Sequence, residues 1–441
     1  MGVRVSYEVR DPIHGFVQIN DWERQIINDP TFQRLRRIKQ LAWTDMVYPG
    51  AVHNRFEHSL GVMHVATRIF DAIATKEENF LKSELKYTDS GLDRDRVLLR
   101  LACLLHDIGH SPFSHAGEGL MLTNPETGKA FKHEHYSAAV VRFVMKEVIE
   151  NHPLNQNYGI TAEEVAQFIE GSKPKFGRVI LWRDLLSSQL DADRADYLLR
   201  DSLHCGVTYG HFDLNRLLVT MKIGRTDTGS PTLAIEDGGI HIAEALILAR
   251  YQMFTQVYFQ HTRRAYDHHI ADALKNLLEK EQDSNPDVVE KGKFPAPTSL
   301  DDIKRYLLWD DWKVLGMLSD GEGGEAGAIL KERKHFRCVF KTRENPAPSE
   351  IDLCDSIGSE LNRVGISGFQ DNASSSWYKV GNEDILICSE DENDRRTVPL
   401  SSLSSLVKGL SPVFQQRIYV PIEERARAKE IIEGIIKECV A

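Results

Sequence analysis

The stretch His106-Asp107-Ile108-Gly109-His110-Ser111-Pro112-Phe113-Ser114-His115 places three histidines and an aspartate within ten residues. Neutral imidazole and carboxylate together suit a borderline divalent ion. A His-Asp dipeptide alone is common by chance, so the weight rests on its neighbours. It also rests on the cost of leaving an aspartate unpaired at the end of a buried helix. A second cluster, His53-Asn54-Arg55-Phe56-Glu57-His58-Ser59, offers His58 as a ligand and Arg55 as a phosphate contact. The planar guanidinium fork suits phosphate. Taken alone, the cluster reads as a helix start with solvated charges. A third, Asp191-Ala192-Asp193-Arg194-Ala195-Asp196-Tyr197-Leu198-Leu199-Arg200-Asp201, has i+3 and i+4 charge spacings. Solvated helix pairs explain Asp196 and Arg200 well, but Asp191 and Asp193 less well. His133-Glu134-His135 reads equally as a polar helix start.

These residues need elements to hold them. Val97 to Leu105 is apolar nearly all round and predicts a buried helix, ended by Ile108-Gly109 and Ser111-Pro112. Ala138 to Ile149 and Ile240 to Phe259 follow helical spacing, and Phe32, Leu35, Ile38 and Leu41 predict an amphipathic helix. Up to about residue 280 the chain reads mainly as helices. Gln282 to Pro297 reads as a loop, and Ser319 to Gly327 as flexible. Beyond it, Phe336 to Phe340, Ile385 to Cys388 and Arg417 to Val420 predict strands. Ile351 to Val364 and Ile422 to Cys439 predict helices. The expected organisation is a mainly α helical core over residues 1–318, a flexible linker over 319–328 and a small α+β domain over 329–441.

Bulk properties narrow the function. The 441 residues carry a formal charge of −11, which argues mildly against a general nucleic-acid binder but leaves room for a local basic pocket. No run of about 20 apolar residues suits a membrane span. Residues 1–11 show no secretory leader. Cys103, Cys205, Cys338, Cys354, Cys388 and Cys439 form no CxxC pair, so free thiols in a reducing cytoplasm are expected.

Taken together the clusters resemble the HD-domain superfamily, and closely its deoxynucleotide triphosphohydrolase (dNTPase) branch in its short bacterial form. The likeness runs from Asp11-Pro12-Ile13-His14-Gly15 to about Tyr266. It includes Phe32-Gln33-Arg34-Leu35-Arg36, Ile38-Lys39-Gln40-Leu41, Pro49-Gly50-Ala51, His53 to Gly61, His106 to His115, His133-Glu134 and Arg263-Arg264-Ala265-Tyr266. Motifs this long, in this order, are far more specific than a lone His-Asp pair. The resemblance implies an all-helical catalytic core and one divalent ion (Mn, Fe, Zn, Ni or Mg) on His58, His106, Asp107 and Asp193. An additional Mg can accompany the substrate. It implies that His110, His115 and His133 surround the α-phosphate. His115 is then the proton donor to the leaving oxygen, oriented by Glu118 or His133. It places Arg55 and Arg194 on phosphate, Tyr197, Asp201 and Tyr266 around the sugar, and Gln40 with Leu41 beside it. It implies hydrolysis of a dNTP to deoxynucleoside and inorganic triphosphate, and a homo-oligomer, dimer or tetramer.

Several residues depart from the family pattern. Asn28 stands where activator-regulated relatives have an acidic residue, and Arg10 where they have Asn, which weakens the case for a regulatory guanine nucleotide. Gln33 and Arg36 are kept. The segment between Met253 and Arg263 is one residue longer than the pattern, its phosphate-binding Arg replaced by Tyr or Val. Asp267 stands where Gln usually follows the Tyr. Two other readings stay open: a nucleotidase or phosphodiesterase on mono- or cyclic nucleotides, and a nucleotide- or nucleic-acid-binding regulator that keeps a structural metal. For the latter, Arg34 to Lys39 offers a basic stripe.

Overall fold

A computed structural model describes residues 6–171, 180–283, 290–375, 378, 383–389 and 394–440. The first five residues, part of the 282–297 loop and the Cys439 side chain lie outside the described residues. Helix makes up 58% of the protein and its sheets are small, as expected for a mainly α chain. No helix among the described residues is long and apolar enough to cross a membrane.

The helix Arg55–Lys76 runs through the centre and packs on Asp89–Leu105 and Ala192–Cys205. Asn54 caps it and Glu57 closes a capping box, which fixes where its first turn begins. Arg55 and His58 both lie in that turn. Residues 97–105 are buried throughout, so the second helix is interior as its sequence predicts. It ends at His106, and the backbone then bends: Ile108 N–H reaches the Leu105 carbonyl and His110 N–H the Asp107 carbonyl. Gly109 makes the bend possible. A Cβ there would lie 2.1 Å from the Ser137 backbone nitrogen, so only glycine lets the helix His133–Phe143 approach.

Several expectations are corrected. Residues 32–41 do not form one amphipathic helix. A turn of helix, Pro30–Gln33, passes into the 3-10 turn Arg34–Arg37, and Ile38 is extended. Phe32, Leu35, Ile38 and Leu41 are nonetheless all buried, so the apolar signal was right and its geometry wrong. The region before 280 also holds strands. Ser6–Asp11 pairs with Gly15–Asn20 in a hairpin, and Met221–Arg225 pairs with Pro231–Glu236. The 319–328 segment, read as a linker, contains the start of a helix, Gly324–Lys331, whose Ala326 and Leu330 are buried against His261–Gln282. Glycine-rich composition here serves close approach: a Cβ on Gly327 would meet the Glu322 carbonyl at 2.2 Å.

The C-terminal part is α+β, but not a simple appendage. Val413–Val420 lies between Arg337–Lys341 and Phe369–Ser375 in a three-stranded sheet. Pro348–Arg363 and Arg425–Val440 cover it around Ile357, Leu361, Ile418 and Ile432. The strand Leu386–Cys388 leaves that unit and runs parallel to Pro231–Glu236 in the other body. Leu400 and Val407 follow it into the main core.

One distant contact sets the loop after the His-Asp pair. Phe113 and Ser114 both have left-handed φ, at 55° and 57°. The Asp311 carboxylate holds this conformation, accepting from Phe113 N–H at 2.7 Å and from Lys39 N–H at 2.8 Å. Burial pushes the Asp311 carboxyl up from 3.8 to about 7 despite those bonds. Its folded form therefore favours the proton. This contribution to stability is complete below the unfolded value and is lost as pH rises from about 4 towards 7.

The urea midpoint of the wild type is expected to carry that downward slope, and Asp311→Asn to lack it. The variant also loses one backbone partner, at about 1–3 kcal/mol. Gly109→Ala is expected to cost about 1–3 kcal/mol through the clash with Ser137, read as a lower midpoint at constant m.

Candidate functional site

Three helix ends converge below this bend. His58 comes from the first turn of Arg55–Lys76, His106 and Asp107 from the end of Asp89–Leu105, and Asp193 from the first turn of Ala192–Cys205. His58 Nε2 lies 3.0 Å from Asp193 Oδ1 and 3.6 Å from Asp107 Oδ2. His106 Nε2 lies 3.3 Å from Asp107 Oδ1 and 3.9 Å from Asp193 Oδ1. Donor atoms of His58, His106 and Asp193 all fall within 4.8 Å of one another. Asp107 is drawn partly aside, its Oδ2 bonded to Arg55 Nη1 at 2.5 Å.

Both imidazoles are aimed by their other nitrogen. His58 Nδ1 donates to Asp196 Oδ2 at 2.8 Å, and His106 Nδ1 donates to the Cys103 carbonyl at 2.8 Å. Those acceptors fix the tautomer and leave Nε2 with a lone pair. His106 Nε2 is buried and has no hydrogen-bond partner among the described residues. An orphaned imidazole nitrogen, with a second imidazole and two carboxylates beside it, fits a borderline divalent cation. The charge balance agrees. Burial alone would lower the His58 imidazole, but bonds to Asp193 and Asp196 outweigh it and raise it to about 10. Burial pushes the Asp193 carboxyl up, yet His106 and His58 hold it well below the usual range.

Behind His58 lies a hub the charge spacing concealed. Asp196 and Arg200, readable as a solvated helix pair, are both fully buried. Asp196 binds His58, His14 Nε2 at 2.7 Å, and Arg200 Nε and Nη2 at 2.8 and 2.9 Å. Arg200 also pairs with Asp11 at 2.9 Å. Asp11 accepts from Ile13 and His14 N–H, so the N-terminal hairpin turn points His14 inward. A Cβ on Gly61 would lie 1.9 Å from Asp196 Oδ1, so that helix must present glycine there. The Asp11-Pro12-Ile13-His14-Gly15 motif was the available signal for this hub.

On the other side stands a second cluster, from the HD bend, the 3-10 turn Ser114–Leu120 and the helix His133–Phe143. Glu118 Oε1 lies 2.5 Å from His133 Nδ1 and 3.1 Å from His115 Nδ1. The His110 and His133 rings stack at 3.9 Å. Burial and the Arg55 charge hold the His110 imidazole well below its usual value, so it is neutral. Burial also disfavours charge on His133, but Glu118 outweighs that and raises it. His115 is 62% exposed. Donor atoms of His110, His115, Glu118 and His133 also lie within 4.8 Å of one another.

A cleft of about 460 Å³ opens beside this machinery. Gln40, Leu41, Arg55, His115, Tyr197 and Asp201 line it. Asp201 is held there by His53 Nε2 and by Tyr258 hydroxyl, each at 2.7 Å. Tyr258, Arg263, Arg264 and Asp267 also line it and were not among the expected site residues. Tyr258 closes a five-residue π turn, Phe254–Tyr258, in the segment one residue longer than the family pattern; such turns absorb an extra residue within a helix. Tyr266 lies behind the wall, fully buried against Trp43 at 5.6 Å. Arg194 folds back on Asp191 and the Ser188 carbonyl. A second cavity of about 490 Å³, which shares no lining residue with the first, is lined by His106, His133 and Asp193, with Lys129, Lys132 and Arg183 in its walls.

Comparison with known proteins decides the family. The sequence pattern described as the HD domain matches residues 55–201, spanning His58, His106, Asp107 and Asp193. The chain is an HD-domain protein. An HD-associated region follows over residues 212–292. The chain is 36% identical over 259 residues to the uncharacterized protein YwfO of Bacillus subtilis, covering 58% of this chain and 52% of that one. It is 30% identical over 371 residues to the deoxynucleoside triphosphate triphosphohydrolase SAMHD1 of Homo sapiens, covering 76% and 54%. It thus spans about half the length of the curated relatives it matches. A crystal structure of a hypothetical protein from Aquifex aeolicus superposes with a TM-score of 0.74 at 26% identity, covering 97% of this chain and 99% of that one. HD hydrolases are metal-dependent, and the His and Asp groups above are candidates for that metal.

Asp196→Asn is expected to weaken metal retention about 10- to 100-fold, as loss of such outer partners does. Metal-to-protein ratios after dialysis against a graded chelator measure it. Retention equal to the wild type would show that Asp196 does not set the His58 ligand.

Proposed function

We propose that this HD-domain protein hydrolyses deoxynucleoside triphosphates to deoxynucleoside and inorganic triphosphate. The supporting observation is the meeting, beside the cleft, of His58, His106 and Asp193 with Arg55 and the Glu118-held histidines. His58, His106, Asp107 and Asp193 would hold a divalent cation, which would supply positive charge to phosphoryl oxygens and lower the pKa of an attacking water. Arg55, already aligned by Asp107 and by Ser114 Oγ at 2.7 Å, adds a guanidinium to the phosphate. Neutral His110 and raised His133 flank the same space, one able to accept and the other to donate a proton.

Attack by water at the α-phosphorus breaks its bond to the nucleoside oxygen. That oxygen needs a proton as it leaves. His115, whose Nδ1 faces Glu118 while its ring lines the cleft, is the donor in this reading. Glu118 positions His115 and His133 together. Tyr197, Asp201, Gln40 and Leu41 hold the nucleoside end. Arg194 serves the phosphates only after leaving Asp191. A homo-oligomer and a regulatory nucleotide belong to this reading through the family resemblance alone.

Chromatography of a dNTP and NTP panel, with and without GTP or dATP, is expected to show nucleoside and inorganic triphosphate. His106→Ala with Asp107→Ala is expected to abolish release, and His115→Ala to lower kcat by about 10²- to 10⁴-fold. Release of orthophosphate or pyrophosphate alone would exclude this cleavage mode and favour a nucleotidase or phosphodiesterase. Metal-bearing protein that turns over no nucleotide but binds single strands with a steep salt slope would favour the regulator.

A further inference from the structure

Polar groups in the wall of the cleft are unequally satisfied. Arg263 Nε donates to Thr44 Oγ1 at 2.9 Å, and its Nη1 to the Tyr258 carbonyl. Arg264 is clamped by Asp371, which the C-terminal strand Phe369–Ser375 delivers to the cleft wall. Both guanidinium groups are thus committed to protein partners. Asp267 follows them on the same helix, one turn past Arg263, and lines the cleft. Its Oδ2 is 3.5 Å from Arg263 Nη2. Its Oδ1 is buried and has no hydrogen-bond partner among the described residues. The side chain is only 14% exposed.

A buried acceptor without a donor is costly, and a bound ligand is the natural source of one. A carboxylate accepts and cannot donate, unlike the nearby Gln40 amide, which can turn to present either group. It repels phosphate and carbonyl oxygens and selects N–H or O–H. We infer that Asp267 determines specificity: it selects nucleotides whose nucleoside presents a hydrogen-bond donor, from the sugar hydroxyl or the base edge, to its free oxygen. This rests on reading the cleft as a nucleotide site. The C-terminal strand completes the wall on which Asp267 stands.

The test compares wild type with Asp267→Asn, which keeps the shape and replaces one acceptor with a donor. The base arm sets dGTP, with two adjacent donors on its edge, against the 5′-triphosphate of purine 2′-deoxyriboside, whose base carries no N–H or O–H donor. The sugar arm sets dGTP against its 3′-deoxy analogue. The wild type is expected to favour the donor-bearing member, and the variant to lose about 10- to 100-fold of that kcat/KM ratio in one arm. The arm that moves identifies the source of the donor. Equilibrium dialysis of the matching nucleosides reads the same contact without turnover. If no triphosphate is hydrolysed but nucleoside selectivity is present and lost in the variant, the inference stands and the triphosphohydrolase reading falls. If turnover is normal and no ratio moves by more than about twofold, beyond the scatter of neutral contacts, the inference falls alone. With one carboxylate oxygen unpartnered and the other only 3.5 Å from Arg263, Asp267→Asn is expected to melt no lower than the wild type. A lower Tm, with ratios unchanged, would make Asp267 a structural partner of Arg263 instead. Asp267→Gln repeats the comparison with a longer amide should the first variant not fold.

Discussion

The Asp196 carboxylate holds together groups from three parts of the chain in a space with no water to screen them. It binds the metal-facing His58, the hairpin's His14 and its own helix's Arg200, and all of them are buried. Neither a lone carboxylate nor a lone guanidinium would be tolerable there, because desolvation costs several kcal/mol per ion unless the geometry and hydrogen bonds are complete. Gly61 leaves the room for this convergence, and Asp11 completes the pairing of Arg200. The direction of His58 Nε2 is therefore not a local choice of one rotamer. It follows from where the hairpin, the central helix and the Asp196 helix meet.

The same logic of backing each functional group with a buried partner extends outward. Cys103 carbonyl orients His106, Glu118 orients His115 and His133, His53 orients Asp201, and Asp311 holds the left-handed bend that brings Ser114 to Arg55. Rigid supports of this kind keep reacting groups in place without reorganisation at the moment of reaction. Two cavities border the centre. One cleft presents Arg55 and His115 among aromatic walls, and the second cavity presents His106, His133 and Asp193 among lysines and an arginine.

Much of the candidate site was legible because its information is local. His106 to His115 sits at the end of an unmistakably buried helix, and that short spacing forces the side chains into one region. The Asn54 and Glu57 capping box likewise marks where Arg55 and His58 must begin their helix. Patterns that depend on what packs opposite were misread. The i,i+4 pair Asp196 and Arg200 has the spacing of a solvated pair, and nothing in the local sequence shows that a hairpin covers it. Phe32, Leu35, Ile38 and Leu41 have helical spacing, yet the chain breaks into a 3-10 turn and an extended residue while burying all four. The glycines after Ser319 read as freedom, whereas Gly327 permits a close helix contact.

The sequence by itself determined the residue types that can bind a cation, their order along the chain, the mainly α class and the α+β character of the last hundred residues. Those follow from hydrophobic period, capping and ligand chemistry, which act over a few residues. Only the tertiary structure decided which nitrogen of each imidazole is free, and that Arg194 and Tyr266 point away from the cleft. It also decided that a C-terminal strand brings Asp371 to clamp Arg264, leaving Asp267 with an unpaired oxygen. Several of these outcomes depend on contacts between segments about a hundred or more residues apart, as from Arg264 to Asp371 and from His14 to Asp196. Burial and partner geometry there override any preference a short stretch of sequence can express.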